Sequence, residues 1–178
     1  MGFALKLSPS HQQSHPQERI AFLAKVALMA DIKDLPGALD HVASLLEEKK
    51  FAKDEAIIRE GEAGTDMYFL MKGEAGVFKS TSDGEPFPVT VLKDSMFVFF
   101  GEGALLDDDT RSATIKAQTD CICLVFTKKQ FETFCVDQPQ WALPFLKRVA
   151  RIVMGRLRKT NADFVVLYNA LVNEMRGL

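Results

Sequence analysis

From Phe51 onward the chain breaks into short runs of β-branched and aromatic residues separated by glycine: AIIREG, MYFLMKG, AGVFKS, PVTVLK, FVFFG, SATIKA and CICLVF. Runs of four to seven residues with Gly, Asp and Ser between them are strand signals. At least six of them within about 75 residues leave little choice but a sandwich or small barrel. Gly61, Gly64, Gly73, Gly84 and Gly101 stand between runs, where turns call for positive φ. On either side the texture is helical. Residues 19–30 carry Ile20, Phe22, Leu23, Val26 and Met29 at helical spacing, Pro36-Gly37 breaks the chain, and residues 38–49 show Leu39, Val42, Leu45 and Leu46. Thr127-x-x-Gln130 has capping-box form ahead of Phe131 and Phe134. Asp137-x-x-Gln140, with Pro139 inside it, opens a long last helix over about 140–174, with Pro144 expected in or near its first turn.

The expected architecture is α+β: an antiparallel double-stranded β-helix, a jelly-roll-like barrel, flanked by N-terminal helices and a long C-terminal helix. Residues 1–18 are polar, proline-bearing and aperiodic, and read as a flexible leader. Residues 19–178 then form one domain, with helices at 19–50, the barrel at 51–126 and C-terminal helices at 127–178.

Several classes of function fall away on composition. No apolar run approaches the ~20 residues that span a bilayer, and the N-terminus lacks a signal-peptide core, so a cytoplasmic chain with no membrane partner is expected. Cys121, Cys123 and Cys135 are an odd set without flanking histidines and read as free thiols rather than disulfides or a zinc site. No metal is expected: His11, His15 and His41 all precede the barrel, where a cupin-type metal centre would need its ligands, and no nucleophile–base pair suggests catalysis.

Chemistry concentrates in residues 100–114, Phe-Gly-Glu-Gly-Ala-Leu-Leu-Asp-Asp-Asp-Thr-Arg-Ser-Ala-Thr. A strand ending at Gly101 runs into a helical turn at 102–106 whose leading amides are unpaired, and small Gly103 and Ala104 let an anion approach them. Arg111 adds a planar fork for two phosphate oxygens. Glu102 beside an anion makes sense as the acceptor of a sugar hydroxyl. Anion plus diol points to a nucleotide.

This segment resembles the phosphate-binding cassette of cyclic nucleotide-binding domains, the modules found in catabolite activator protein, protein kinase A regulatory subunits and cyclic nucleotide-gated channels. It stands here as Phe100-Gly101-Glu102-Gly103-Ala104-Leu105 followed by Arg111-Ser112-Ala113, and residues 58–70 (IREGEAGTDMYFL) are similar to the family's glycine-rich strand–turn–strand. The resemblance implies that Arg111 pairs with the cyclic phosphate and Glu102 binds the ribose 2′-hydroxyl. It implies that the Gly103 and Ala104 amides face the phosphate, with Gly101 shaping the turn and Ser112 beside the arginine. The implied ligand is cyclic AMP, or failing that cyclic GMP, with no further cofactor and no catalysis. Thr110 stands where kinase-type members carry proline, and Asp107, Asp108 and Asp109 put carboxylates beside the anion.

The last helix carries Leu146, Ala150, Val153, Leu157, Thr160, Phe164, Leu167 and Leu171 in 4–3–4–3 spacing, a seam that asks for a second copy. It resembles the dimerisation helix of catabolite activator protein, which would make Thr160 and Asn161 contacts to the base. Residues 1–140 hold 15 Lys/Arg against 22 Asp/Glu, while residues 141–178 hold 7 against 2. The basic stretch at 147–159 is therefore read as complementing the acidic body rather than nucleic acid, and no helix-turn-helix follows it. The expected protein is a sensor whose ligand moves the C-terminal helix toward an unknown effector. The alternative is a degenerate barrel serving dimerisation or protein interaction.

Overall fold

The computed structural model describes residues 14–107 and 110–177. The first 13 residues of the expected leader and Asp108 and Asp109 of the acidic loop lie outside the described residues.

Eight strands form two four-stranded antiparallel sheets. One contains β1 (Glu47–Phe51), β8 (Cys121–Thr127), β3 (Asp66–Lys72) and β6 (Phe99–Phe100) in that spatial order. The other contains β2 (Ala56–Ile58), β7 (Thr114–Ala117), β4 (Glu74–Ser80) and β5 (Pro86–Lys93). This is the expected jelly-roll with α-helices at its flanks. Those helices are α1 (Pro16–Leu23) and α2 (Ala38–Leu45) before the strands, and α3 (Lys128–Asp137) and α4 (Pro139–Arg176) after them.

The first sheet is the middle layer, which explains why β3, β6 and β8 read as unbroken apolar runs rather than alternating ones. On β8, Cys121, Cys123 and Val125 point between the sheets while Leu124 and Phe126 point at the helices. On β3, Tyr68 and Leu70 take the inner side and Met67 and Phe69 the helix side; on β6, Phe100 and Phe99 divide the same way. Period-two geometry with both faces covered thus yields two cores from one sheet. The helix-side core centres on Phe126, Phe131, Phe134 and Phe145, whose neighbouring rings sit 5.9 to 6.2 Å apart, mostly edge to face. A fully buried ring of this kind contributes roughly 1.5–3 kcal/mol, so this cluster fixes where α4 begins.

Several boundaries move from the sequence expectation. The first helix stops at Leu23 and gives way to a 3-10 turn at Ala27–Met29. Helix α1 starts at Pro16 with His15 as its cap, inside the stretch expected to be a leader. The second helix ends at Leu45, because Glu47–Phe51 pair with β8 as an edge strand, so the barrel begins before Phe51. The sequence EEKKF has no apolar alternation, and its ladder partner rather than its propensity makes it a strand. At the other end, the capping box is present as expected: Gln130 N–H donates to Thr127 Oγ1 at 3.2 Å and Thr127 N–H to Gln130 Oε1 at 2.9 Å. Asp137, by contrast, closes α3 rather than capping α4, whose N-cap Gln138 makes no side-chain cap bond. Pro144 lies just past the first turn of α4, near it as expected.

Helix α4 spans 38 residues, about 57 Å at 1.5 Å per residue. Only its start is buried, through Ala142, Phe145 and Val149. Asp31 receives Arg151 at 2.6 Å and Arg148 at 3.8 Å, tying the third and fourth turns to the segment that precedes α2. Further along the helix Phe164, Leu167 and Leu171 are 57 to 69% exposed. Among the described residues no helix is long and apolar enough to cross a membrane.

Candidate functional site: an anion cup opening into an apolar chamber

Strand β6 ends at Gly101, whose φ of +77° turns the chain sharply into a 3-10 helix at Glu102–Leu105. A Cβ on Gly101 would sit 2.9 Å from Arg111 Nη1 and 3.1 Å from the Asp66 carbonyl, so both conformation and space require glycine here. Gly103 is exposed and Ala104 buried, which sets one small residue in the open beside the turn and one under it.

Arg111 is held at both ends. Its N–H donates to the Glu62 carbonyl at 2.9 Å, and its own carbonyl accepts from Gly61 N–H at 2.9 Å. Its guanidinium donates to the carbonyls of Asp66 at 2.7 Å and Gly101 at 3.2 Å. The side chain passes over Gly64, where an added Cβ would come within 2.3 Å of Nε. The glycine in IREGEAG therefore provides the channel in which the arginine lies. Two backbone carbonyls orient the fork without neutralising it, which leaves its charge available to an anion.

Gly101, Gly103, Ala104, Thr110, Arg111 and Ser112, with Asp107, enclose a cup of about 190 Å³. Gly101, Gly103, Asp107 and Ser112 also border a chamber of about 570 Å³. Its walls are Val77 of β4, Thr90 and Leu92 of β5, Ile115 of β7 and Val153 of α4. Beneath the cup Tyr68 stacks on Phe100 at 5.4 Å and 13°. Burial, with Asp66 beside it, pushes the Tyr68 hydroxyl up to about 12, so it stays neutral and adds no charge below the anion site. A groove of about 930 Å³ lies at the N-terminal helix, lined by Arg19 and Glu48, and one of about 530 Å³ is lined by Lys50 and Cys121; neither gathers the cassette residues.

Glu102 stands at the chamber's rim, its side chain 12% exposed, and is ion-paired with Arg156 of α4. The Arg156 guanidinium lies 5.1 Å above the Phe99 ring. Arg156 escaped the sequence reading, which had placed the whole basic stretch against the acidic body. That reading describes Arg148 and Arg151 on Asp31 well. The available signal was spacing: Arg156 follows Val153 by three residues and precedes Thr160 by four, so all three share one helix face. The chamber walls from β4 and β5 were also missed, since nothing in a strand's sequence says which cavity it borders.

Of the sequence candidates, Gly101, Glu102, Gly103, Ala104, Arg111 and Ser112 converge on this site. Thr160 and Asn161 do not line it; both are exposed on α4, one turn past Arg156.

A family model described as cyclic nucleotide-binding domain matches residues 48–138. Among curated relatives, cGMP-dependent protein kinase 2 of Mus musculus is 37% identical over 121 residues, covering 67% of this chain and 15% of that protein. The cAMP-dependent protein kinase regulatory subunit of Aspergillus niger is 40% identical over 100 residues, 56% of this chain and 23% of that one. The chain thus spans less than a quarter of the length of either relative. Among solved structures, Thermus thermophilus catabolite activator protein superposes with a TM-score of 0.70 at 21% identity, over 79% of this chain and 62% of that one. A cyclic nucleotide-binding domain from Methylobacillus flagellatus gives 0.71 at 17%, over 84% and 82%.

Proposed function

The chain belongs to the cyclic nucleotide-binding domain family, and from that premise we propose that it is a sensor that binds cyclic AMP, with cyclic GMP as the second candidate, and signals through α4. The observation that carries this is the continuity of the anion cup with the apolar chamber, with Glu102 at their junction. A cyclic phosphate fits against Arg111, Ser112 and the Gly103 amide, the ribose hydroxyl meets Glu102, and the base enters the chamber; the Ala104 amide, expected beside the phosphate, is instead bonded to the Gly101 carbonyl at 3.2 Å. The kinase relatives name both nucleotides. Cyclic AMP is preferred because the catabolite-activator arrangement, a barrel followed by one long helix, is what this fold presents. No cofactor takes part in this reading and no bond is made or broken. The free thiols Cys121, Cys123 and Cys135 suit a reducing cytoplasm.

Coupling runs through Arg156. A ribose hydroxyl and the guanidinium compete for, or share, the same carboxylate, so occupancy of the chamber changes what holds α4 at its rim. The ligand biases α4 only by this difference between the two arrangements. Thr160 lies one turn, about 6 Å, beyond Arg156 on the same face, and inward movement of α4 brings Thr160 and Asn161 toward the base. The exposed seam beyond Val153 is the homodimer contact, and an effector protein reads the helix's position.

Replacing Arg156 by leucine tests the coupling. The pair is half-exposed on the arginine side, so its loss should change nucleotide affinity no more than about fivefold. Hydrogen exchange along residues 150–162 should respond to nucleotide in the wild type and stop responding in R156L. An unchanged ligand response in R156L would remove Arg156 from the coupling.

A second reading, a barrel serving only dimerisation or protein interaction, is favoured by one observation: the Asp107 side of the cup is acidic. It requires that the folded protein bind neither nucleotide.

A further inference from the structure

Lys79, near the end of β4, and Glu60, just after β2, line neither the cup nor the chamber. They nevertheless meet the cassette from behind. Lys79 Nζ lies 2.5 Å from Glu60 Oε1 and 2.5 Å from the carbonyl oxygen of Ser112. The second Glu60 oxygen accepts the Ser80 N–H at 2.8 Å, and the Glu60 N–H donates to Thr114 Oγ1 at 3.0 Å. Together with the paired main chains of Gly61, Glu62 and Arg111, these bonds tie three separate segments into one unit. The Lys79 ammonium and the Ser80 amide hold the Glu60 carboxyl below its usual range, so it is an anion at neutral pH.

The consequence follows from peptide geometry. A trans peptide points its C=O and N–H in opposite directions. With the Ser112 carbonyl drawn onto Lys79, the Ala113 N–H is turned away from Lys79, and Ser112 and Ala113 are both chamber-lining residues. A charge-assisted bond to the carbonyl also polarises the peptide, making its N–H a better donor to an anion.

We propose that the Glu60–Lys79 pair is a positioning device for the anion cup, fixing the Ser112–Ala113 peptide in the orientation that receives the cyclic phosphate while touching no part of the ligand. This rests on the cyclic nucleotide reading of the cavity, and it adds two residues that act through the cassette.

The test compares wild type, K79M, E60Q, the double variant K79M/E60Q and K79R by titration with cyclic AMP and cyclic GMP. K93M serves as control, since Lys93 pairs with Glu74 at 2.9 Å at the other end of the same hairpin. K79M and E60Q should each weaken binding of the preferred nucleotide about five- to tenfold. The double variant should be no worse than the weaker single, K79R should recover most of the affinity, and K93M should match wild type. Hydrogen exchange over residues 111–114 should rise in K79M and not in K93M. A merely structural role would lower thermal stability in K79M and K93M alike and leave nucleotide affinity untouched. K79M binding as wild type, with unaltered exchange at 111–114, overturns the positioning role alone. A folded wild type that binds neither nucleotide overturns the ligand reading and this role together.

Discussion

Arg111→Ala is expected to weaken cyclic nucleotide binding by at least about 30-fold while the barrel stays folded. Among the described residues lining the cup the guanidinium is the only cation, and a cyclic phosphate brought into it is largely removed from water. Deleting one side of such a desolvated charge pair costs roughly 2–5 kcal/mol, and each ~1.4 kcal/mol is tenfold in affinity. The fold should survive because the two main-chain bonds of Arg111, to Gly61 and Glu62, are kept by alanine, and only the two guanidinium bonds to the Asp66 and Gly101 carbonyls are lost. Arg111→Lys should recover only part of the loss. An ammonium retains charge but cannot donate to the Asp66 and Gly101 carbonyls and present two parallel donors to phosphate at once. Calorimetry on the three proteins gives the ranking, and circular dichroism checks the fold. Wild-type affinity in Arg111→Ala would move the ligand out of this cup.

The second large effect concerns assembly. Introducing glutamate at Leu167 and Leu171 together should convert a dimer to a monomer at micromolar protein, read by sedimentation velocity as a halving of mass. Phe164, Leu167 and Leu171 stand in 3–4 spacing on the part of α4 beyond its last buried residue, Val149, and each is more than half exposed. Such a seam is self-complementary across a two-fold axis, and two carboxylates per chain at its centre would be buried without partners. Thermal unfolding of the barrel should change little, because the helix-side core closes at Val149, well before the seam. Identical mass for wild type and variant would leave α4 for a different partner.

How much of this was legible before the coordinates depended on whether the information was local. The strand runs were legible because both faces of the middle sheet are buried, which leaves MYFLM and CICLVF as continuous apolar words. The capping box at Thr127 and Gln130 was legible because its bonds join residues three apart. Strand β1 was not, since EEKKF becomes a strand only by lying against residues 121–125. The helix boundary at Leu45 shifted for the same reason, tertiary contact overriding periodicity. At the site, the cassette residues come from one short segment and so arrived together. Arg156 reaches Glu102 across 54 positions, and Lys79 reaches Ser112 across 33. Helical spacing sets Arg156 on one face with Val153 and Thr160, but it cannot name a partner so far away in the chain. Gly64 lies between these cases: its place in a turn was visible, but its role as the channel for Arg111 was not.

The most direct test of the central claim is calorimetric titration of the purified protein, stripped of bound nucleotide, first with cyclic AMP and then with cyclic GMP. Saturable binding at one site per chain, at micromolar affinity or tighter and stronger for cyclic AMP, is the result expected of this cup and chamber. Silence toward both nucleotides from a protein whose fold is intact would contradict it.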